Sequence, residues 1–244
     1  MTICVTGGSS GLGRAIAERF AAEGGDVFIN YHADDDAAQA AAAAVEAAGG
    51  RPHVVKADMG TTEGVETLIG AVRERTDRLD QLVHCAAMAV TGSLLETDPE
   101  TLTRSITVNG LALVALVRAA LPLMGPGSNV VYLTSRGARF AIPNYGTLGT
   151  AKALGEHIVR YLAVECAPHG IRVNSVSPGP VETAAFRAMF PGNYRDRLDA
   201  AAKANPSGRG IELEDAAELV WALTRPELAM VQGQTVTVDG GLSL

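Results

Sequence analysis

Short apolar runs alternate along the chain with longer segments in which apolar residues recur every three or four positions. The first run covers residues 3–5, and Leu12, Ile16 and Phe20 then repeat at helical spacing. Gly24 ends this helical segment. The alternation continues through the chain and predicts an α/β fold, a doubly wound parallel sheet with helices on both faces.

The same pattern predicts six further strands and five further helices, with no compositional break between them. We therefore expect residues 1–244 to form a single domain. The segment 179–210 is the least regular and follows the sixth predicted strand, so a loop there would lie over the strand ends that bind ligands in open α/β sheets. The predicted strands cover residues 27–29, 54–55, 82–83, 129–133, 171–176 and 235–238, and the predicted helices cover residues 37–48, 65–72, 99–121, 145–164 and 214–223.

Composition and charge exclude several classes of protein. The chain has 244 residues, is 47% hydrophobic and carries a formal net charge of −7. This length buries a sizeable core without a metal or disulfide, and the composition excludes disordered, collagen-like and coiled-coil proteins. The acidic balance argues against nucleic-acid partners and against anionic membrane surfaces, which favour a basic face.

The cysteines and the apolar runs bear on the compartment. Cys4, Cys85 and Cys166 are widely separated in apolar runs, and we interpret them as buried, reduced thiols. No spacing typical of zinc ligands occurs, so we expect no metal site. The longest apolar stretch, residues 111–117, is far shorter than a membrane span, and the N-terminal residues do not resemble a signal peptide. We expect a cytoplasmic protein.

A glycine-rich turn separates the first predicted strand from the first predicted helix. Its glycines permit a tight turn and a close approach of backbone N–H groups to a pyrophosphate, and the helix N-terminus adds a favourable dipole. An ordinary connection is the alternative, but the position after the first strand of an α/β chain favours a dinucleotide site. The candidate phosphate contacts are Gly7, Ser9, Ser10, Gly11, Leu12 and Gly13.

The spacing of residues 6–13 resembles the T-G-x-x-x-G-x-G turn of the short-chain dehydrogenase/reductase family. The similarity covers almost the whole chain, including Asn109, Ser135, Lys152 and the Val-Asp-Gly-Gly sequence at 238–241. It implies a Rossmann-type domain that binds a nicotinamide dinucleotide, with Lys152 on the cofactor ribose. The other implied cofactor contacts are Asp58 at the adenine, Tyr31, His32, Met59, Ala86, Ala87, Pro178, Gly179, Val181 and Thr183.

The sequence after the fourth predicted strand departs from the family pattern. The family usually has Asn-Asn-Ala-Gly there, whereas this chain has His-Cys-Ala-Ala at 84–87. A lone histidine could be a ligand, but we interpret His84 as making the local hydrogen bonds of the usual asparagine. The backbone at Ala86 and Ala87 is still expected to pass under the cofactor.

The position of the candidate acid is a second departure. Ordinary family members have a tyrosine four residues before the lysine, where this chain has Leu148, which cannot donate a proton. The candidate is Tyr145, seven residues before Lys152. On one helix, seven residues rise by about 10.5 Å and return to nearly the same face, so both side chains are expected to point into one cleft. Packing at a helix start is the alternative for Tyr145.

The Tyr-x6-Lys spacing is characteristic of the family's enoyl-thioester reductases, and residues 144–152 and 160–165 resemble the enoyl-[acyl-carrier-protein] reductase III group. The resemblance implies reduction of the 2,3-double bond of an enoyl thioester, with Tyr145 hydrogen-bonded to the developing enolate oxygen. These reductases often carry a second tyrosine where this chain has Ala141. The alternatives are a 3-ketoacyl or ketone reductase or alcohol dehydrogenase with a displaced tyrosine, and an inactive cofactor-binding subunit.

Ser135 and Asn109 complete the catalytic candidates. Ser135 is expected to contact the substrate or the tyrosine. The alternative is that Ser135 is only a turn residue at the end of the strand. Asn109 is expected to hold a helix distortion and a water relay, with a buried polar residue bonded to backbone as the alternative. Lys152 is expected to lower the pKa of Tyr145 by its charge.

The end of the second predicted strand bears on the choice of nucleotide. Sites that prefer NAD usually have an acidic residue there for the ribose diol, whereas this chain has Asn-Tyr-His at 30–32. This favours NADPH, with NADH as the alternative. No Arg or Lys is evident for a 2′-phosphate, so Ser10 and His32 are the candidate contacts.

The segment 179–210 also bears on partners. Its aromatic residues are expected to line an acyl channel or to pack against the body of the domain. Its basic residues are expected to meet an acyl carrier protein or the phosphates of coenzyme A, with a solvated amphipathic helix as the alternative. The substrate is thus expected to be an acyl thioester. The family resemblance implies a homotetramer with residues 111–121 and 154–164 at its interfaces.

Overall fold

Seven parallel strands form one sheet. They are β1 (Thr2–Thr6), β2 (Asp26–Tyr31), β3 (Arg51–Lys56), β4 (Gln81–His84), β5 (Asn129–Leu133), β6 (Arg172–Pro178) and β7 (Thr235–Val238). The computed structural model describes residues 1–244 and orders the strands β3-β2-β1-β4-β5-β6-β7. The order reverses between β1 and β4, so a crevice opens at the carboxyl ends of these strands. The sheet confirms the predicted doubly wound fold.

Nine α-helices accompany the sheet. They are α1 (Gly11–Ala21), α2 (Asp35–Ala47), α3 (Thr62–Arg73), α4 (Pro99–Ile106), α5 (Ala112–Ala120), α6 (Gly146–Cys166), α7 (Ala184–Met189), α8 (Tyr194–Ala204) and α9 (Leu213–Thr224). Side chains alternate along each strand, so Ile3 and Val5 pack with α1, α2 and α9, whereas Cys4 packs with α3, α5 and α6. Two apolar cores therefore cover the two faces of the sheet.

Capping residues in the sequence set the starts of several helices. Asp34 accepts a hydrogen bond from the N–H of Ala37 at 2.9 Å, and Asp98 accepts one from Thr101 at 2.8 Å. A helix leaves its first N–H groups without intrahelical partners, so each such cap stabilises it by about 1 kcal/mol. In contrast, Ser10 makes no side-chain cap at the start of α1, which leaves that helix N-terminus open to an anion.

The prediction of one continuous helix over residues 99–121 is wrong. A π-turn, Thr107–Leu111, with i→i+5 hydrogen bonds separates α4 from α5. Asn109 lies at the centre of this turn, so the predicted helix distortion is confirmed. By length and composition alone residues 99–123 are apolar enough to cross a membrane, but Leu113 and Leu116 are fully buried in the fold, as in a core helix.

The segment 179–210 is more regular than predicted, because it contains α7 and α8. Thr183 caps α7 by accepting a hydrogen bond from the N–H of Phe186 at 2.9 Å. Phe186 and Met189 of α7 line the crevice at the strand ends. The predicted location of the segment is therefore confirmed, whereas its predicted irregularity is wrong.

Candidate active site

A cavity of about 280 Å³ lies at the carboxyl ends of the strands, between the glycine-rich turn and α7. Of the predicted site residues, Asp58, Met59, Ala86 and Asn109 lie outside its wall. The wall contains all the others, namely Gly7, Ser9, Ser10, Gly11, Leu12, Gly13, Tyr31, His32, Ala87, Ser135, Tyr145, Lys152, Pro178, Gly179, Val181 and Thr183. Residues dispersed over the whole sequence therefore form one site.

The glycine-rich turn leaves space that only glycine permits. Gly7 has a left-handed φ of 64°, and a β-carbon on it would lie 2.8 Å from the Cα of Ala86. A β-carbon on Gly13 would lie 2.2 Å from the carbonyl oxygen of Gly7. The turn thus brings backbone and the uncapped N-terminus of α1 to the cavity, which fits the pyrophosphate of a nicotinamide dinucleotide.

Asn30 links this turn to the sheet by hydrogen bonds, a role that the sequence analysis missed. It is buried, and its side-chain oxygen accepts a hydrogen bond from the N–H of Gly7 at 3.3 Å. Its side-chain nitrogen donates to the carbonyl of Ala57 at 2.9 Å. An amide can bond a donor and an acceptor at once, so Asn30 links the turn after β1 to the end of β3.

A basic residue that the sequence analysis did not identify lies next to Tyr31, outside the wall of the cavity. Lys56 is paired with Tyr31 in the register of β2 and β3. Its ammonium donates to both oxygens of Asp35 at 2.9 and 3.1 Å, and the hydroxyl of Tyr31 donates to the same carboxylate at 2.7 Å. Lys56 is thus a basic residue beside Tyr31 that is already paired with Asp35, and the contacts of a 2′-phosphate stay a prediction.

Asp58 is engaged by the protein itself. It accepts hydrogen bonds from the N–H of Gly60 at 2.8 Å and from the guanidinium of Arg104. Burial acts to raise the pKa of Asp58, but the bonds from Gly60 and Arg104 together lower it below its ordinary value. Asp58 is thus a carboxylate beside the cavity, with one cationic partner already in place.

Tyr145 stands directly before α6 rather than within it. Its backbone φ of −115° and ψ of 4° are not helical, and the preceding Asn144 has a left-handed φ of 63°. The assumption that Tyr145 and Lys152 share a helix is therefore wrong. Both side chains nevertheless line the same cavity, as predicted, because the helix starts one residue after the tyrosine.

The surroundings of Tyr145 keep its hydroxyl protonated. Burial raises the pKa of Tyr145, and the nearby hydroxyl of Ser135 opposes this only in part. The prediction that Lys152 lowers this pKa is wrong, because burial dominates and Ser135 is the group that opposes it. The Oγ of Ser135 is buried and has no hydrogen-bond partner of normal geometry within the protein, so it is available to a substrate oxygen. The Tyr145 ring lies parallel to that of Phe190, with centroids 6.3 Å apart.

Lys152 is almost completely buried at the floor of the cavity. Its Nζ donates to the carbonyl of Leu133 at 2.7 Å. Burial lowers the pKa of Lys152 to about 8, with a small opposing effect of Cys85. Cys85 is only half-buried and lines the cavity, so the prediction of three buried thiols holds for Cys4 and Cys166 alone.

His84 makes local hydrogen bonds, as predicted. Its Nδ1 lies 2.8 Å from the hydroxyl of Thr6, and its Nε2 lies 3.1 Å from the carbonyl of Val108. Burial, with the charge of Lys152, lowers the pKa of His84 to about 3, so the ring is neutral.

The side chain of Asn109 bonds the backbone of Met88 at 3.0 and 3.1 Å and that of Ser105 at 3.0 Å. The water relay stays a prediction.

A second cavity, of about 390 Å³, adjoins the first beyond Tyr145. Ser135, Tyr145 and Phe186 belong to the walls of both cavities. The second wall is largely apolar and includes Ile142 and Phe190. Leu148, at the ordinary position of the acid, packs with Phe190 instead of donating a proton. The tyrosine therefore lies where the two cavities meet.

Comparison with known proteins agrees with this arrangement. The family model described as Enoyl-(Acyl carrier protein) reductase matches residues 7–243. The 1-cyclohexenylcarbonyl-CoA reductase of Streptomyces collinus is 37% identical over 98% of this chain and 86% of its own length. The NADH-dependent enoyl-[acyl-carrier-protein] reductase FabI of Aquifex aeolicus is 34% identical over 77% of this chain and 71% of its own length.

The solved structures are also similar. A short-chain dehydrogenase from Burkholderia cenocepacia J2315, in complex with NADP, is 32% identical and superimposes with a TM-score of 0.89 over 99% of this chain and 97% of its own. The family match spans both the glycine-rich turn and the cavity residues of α6 and α7. This chain therefore belongs to the enoyl-(acyl carrier protein) reductase family of the short-chain dehydrogenases/reductases, which are NAD(P)-dependent oxidoreductases.

Proposed function

We propose that this protein reduces the 2,3-double bond of an enoyl thioester with NADPH, in the biosynthesis of fatty or specialised acyl chains. The observation that carries the proposal is the position of Tyr145. It lies at the junction of the two cavities, one residue before α6, while Leu148 occupies the ordinary place of the acid. In an enoyl thioester the carbonyl oxygen lies farther from the carbon that accepts hydride than it does in a ketone, so a displaced donor suits the former.

The chemistry of the chain's own residues follows from this placement. The nicotinamide, when bound, supplies the hydride. Hydride addition to the β-carbon converts the double bond into an enolate whose negative charge lies on the thioester oxygen, and the protonated hydroxyl of Tyr145 donates a hydrogen bond to that oxygen. The enolate then becomes the saturated thioester as its α-carbon takes up one proton that comes ultimately from solvent, so that one hydride and one proton are added in all. The unpartnered hydroxyl of Ser135 is a second donor at the same place. Phe186 and Phe190 line the acyl side, so an acyl group bound against them would displace water and strengthen both hydrogen bonds.

Lys152 acts from the cofactor side of the cavity. Its ammonium, held on the carbonyl of Leu133, can bind the hydroxyls of a ribose with its two remaining protons. Its positive charge favours negative charge on a substrate oxygen in the same cavity. Both effects require the protonated amine of Lys152, and burial lowers its pKa, so that the proton is lost more easily.

The second cavity and the relatives support a proposal for the acyl group and its carrier. A volume of about 390 Å³ lies within the range of small-molecule sites and suits a compact acyl group. The names of the two relatives specify coenzyme A in one case and acyl carrier protein in the other. We propose a thioester of one of these carriers as the substrate, with the carrier approaching the basic residues of α7 and α8.

The nucleotide is NADPH in this proposal, with NADH as the weaker substrate. Ser10 and His32 line the cavity beside the end of β2, and Lys56 lies next to Tyr31. The Burkholderia structure contains NADP, which supports this choice, whereas FabI of Aquifex is named for NADH. A 2′-phosphate would compete with Asp35 for the ammonium of Lys56.

We further propose a homotetramer in the cytoplasm. Tyr161 and Val164 of α6 are 62% and 74% exposed, and Leu111 of the π-turn is 46% exposed. Apolar side chains this exposed on adjoining helices suit an interface between copies. The buried, unpaired thiols of Cys4 and Cys166 suit a reducing compartment.

The test is a matched set of substrates with purified protein. 1-Cyclohexenylcarbonyl-CoA and crotonyl-CoA present the double bond, and acetoacetyl-CoA presents a ketone on the same carrier. Each is incubated with NADPH or NADH while the loss of reduced cofactor is followed by absorbance. Turnover of the enoyl substrates without the ketone supports the proposal. Turnover of the ketone alone would replace it with a carbonyl reductase, and cofactor binding without turnover would replace it with a non-catalytic subunit.

A further inference from the structure

His84 and Tyr132 form a stacked aromatic pair behind the catalytic cavity. They are direct neighbours in the register of β4 and β5, and both are fully buried. Their ring centroids lie 5.8 Å apart with an interplanar angle of 27°. The pair lies on the α6 side of the sheet, between the strands and the π-turn.

Both side chains hydrogen-bond the π-turn. His84 Nε2 lies 3.1 Å from the carbonyl of Val108, and the Tyr132 hydroxyl donates to the carbonyl of Asn109 at 2.5 Å. A π-turn interrupts the α-helical ladder of hydrogen bonds, which leaves room for side chains to enter it. Two adjacent strands therefore hold two successive carbonyls of the turn.

The Tyr132 ring fits into a gap made by Gly155 of α6. A β-carbon on Gly155 would lie 2.3 Å from both the ζ-carbon and the hydroxyl oxygen of Tyr132. Three residues earlier on the same helix, Lys152 places its Nζ 4.9 Å from the centre of the Tyr132 ring. This distance is within the range of an attractive interaction between a cation and an aromatic ring.

We propose that Tyr132 is a positioning residue for Lys152: its ring supports the ammonium, and its bond to Asn109 fixes the ring. The inference rests on the proposed function only in that Lys152 binds the cofactor ribose. The site thus has a continuous connection from the π-turn through Tyr132 to the lysine. Tyr132 acts without touching cofactor or substrate.

Among the groups around Lys152 whose pKa is shifted, Lys152 is the one with a pKa close to neutral. Burial lowers the pKa of His84 to about 3 and raises that of Cys85 to about 11. Burial also raises the pKa of Tyr145 and of Tyr132. Glu156, the acid on the same helix, bonds Thr134 at 2.9 Å and Arg139 at 3.3 Å. A change in cofactor affinity near pH 8 therefore reports on Lys152.

The test measures NADPH affinity, by the fluorescence of the reduced nicotinamide, between pH 6 and 9.5. The wild type, Tyr132→Phe and Tyr132→Leu are compared, with thermal melting as the check on folding. Affinity of the wild type is expected to fall as pH rises through about 8. The midpoint is the pH at which half of this fall in NADPH affinity has occurred. Tyr132→Phe keeps the ring, so its midpoint is expected to equal that of the wild type, while its NADPH affinity weakens about two- to tenfold at every pH. Tyr132→Leu removes the ring, so its midpoint falls by about one pH unit.

A second variant tests the same contact from the helix. Gly155→Ala is expected to displace the ring and to lower the midpoint as Tyr132→Leu does. Combining the two changes is expected to add little, because both remove one interaction. Should Tyr132→Leu fail to fold, Tyr132→Met offers a more adaptable apolar side chain for the same comparison.

Two results would overturn the inference. One is a folded Tyr132→Leu protein whose midpoint equals that of the wild type. The other is a wild type whose affinity shows no change between pH 7 and 9. Because the measurement uses cofactor binding alone, a wild type with the expected midpoint but no enoyl turnover would contradict the proposed function and leave the role of Tyr132 intact.

Discussion

A β-carbon at position 137 would lie 2.4 Å from two ring carbons of Tyr145, so Gly137 and Tyr145 depend on each other sterically. The ring of the candidate acid reaches the cavity because residue 137 has no side chain. Gly137 lies in the 3₁₀ turn Arg136–Ala138 that begins directly after Ser135, so one short segment supplies the Ser135 hydroxyl and makes room for the Tyr145 ring.

Gly137→Ala is therefore expected to displace the ring of Tyr145 and to lower kcat about 100-fold, since catalysis is sensitive to displacements near 1 Å. NADPH affinity is expected to stay near that of the wild type. The matched control is Gly70→Ala in α3, where a β-carbon meets nothing within 4 Å. Steady-state kinetics on crotonyl-CoA check both, and an unchanged kcat in Gly137→Ala would contradict the steric argument.

Tyr145→Phe removes only the hydroxyl, so kcat is expected to fall about 10²- to 10⁴-fold. The dissociation constant for NADPH, measured by fluorescence, should change less than about threefold, because the hydroxyl acts on the substrate oxygen. Tyr161→Phe, an exposed tyrosine of α6, serves as the control. Retained turnover in Tyr145→Phe would remove this residue from the mechanism.

The ion pair of Asp35 and Lys56 is expected to set nucleotide preference. Asp35→Asn frees the ammonium for a 2′-phosphate and should lower the KM for NADPH about two- to fivefold, with little effect on NADH. Lys56→Gln should raise the KM for NADPH by a similar factor. Both effects should shrink at high salt, because the pair is exposed. Equal shifts for the two nucleotides would show that Lys56 does not meet the phosphate.

The neutral His84 is expected to make the fold sensitive to acid. Its pKa is about 3 when folded and 6.5 ordinarily, so only the unfolded chain takes up this proton between those values. Stability should therefore fall as pH drops through that window, by about 1.4 kcal/mol per pH unit from this group. His84→Asn should show a shallower loss between pH 6 and 4 in urea unfolding. Parallel pH dependences in both proteins would contradict the assignment.

The exposed face of α6 is expected to join copies of the chain. Val164→Lys should convert the proposed tetramer to a smaller species, because a charge would be buried without a partner. Glu46→Lys, on the exposed side of α2, controls for charge alone. Light scattering coupled to size exclusion distinguishes the species. An unchanged mass in Val164→Lys would place the interface elsewhere.

The parts of the site that depend on local sequence were predictable. Strand–helix alternation predicts the sheet because parallel strands bury both faces and appear as short apolar runs. Glycine spacing predicts the phosphate turn because backbone approach depends on a missing side chain at fixed offsets. The shared cavity of Tyr145 and Lys152 is also confirmed, although the helical reasoning behind it is wrong.

The parts that depend on distant partners were not predictable. The π-turn is bonded by His84 and Tyr132, which come from strands on either side of it in the sequence. Lys56 meets Tyr31 only through the register of β2 and β3. No periodicity within a single segment contains these relationships, because each arises from the pairing of two strands or from a strand under a helix.

The π-turn also rotates α5 about the helix axis relative to α4. Compared with a continuous α-helix, one inserted residue rotates everything after it by about 100° around the axis. As a result, α4 and α5 point different faces at the protein although they follow each other along one axis. α4 directs Arg104 towards Asp58, and α5 directs Leu113 into the core. Deleting a single residue from 107–111 would turn the apolar face of α5 towards solvent while leaving its helicity intact.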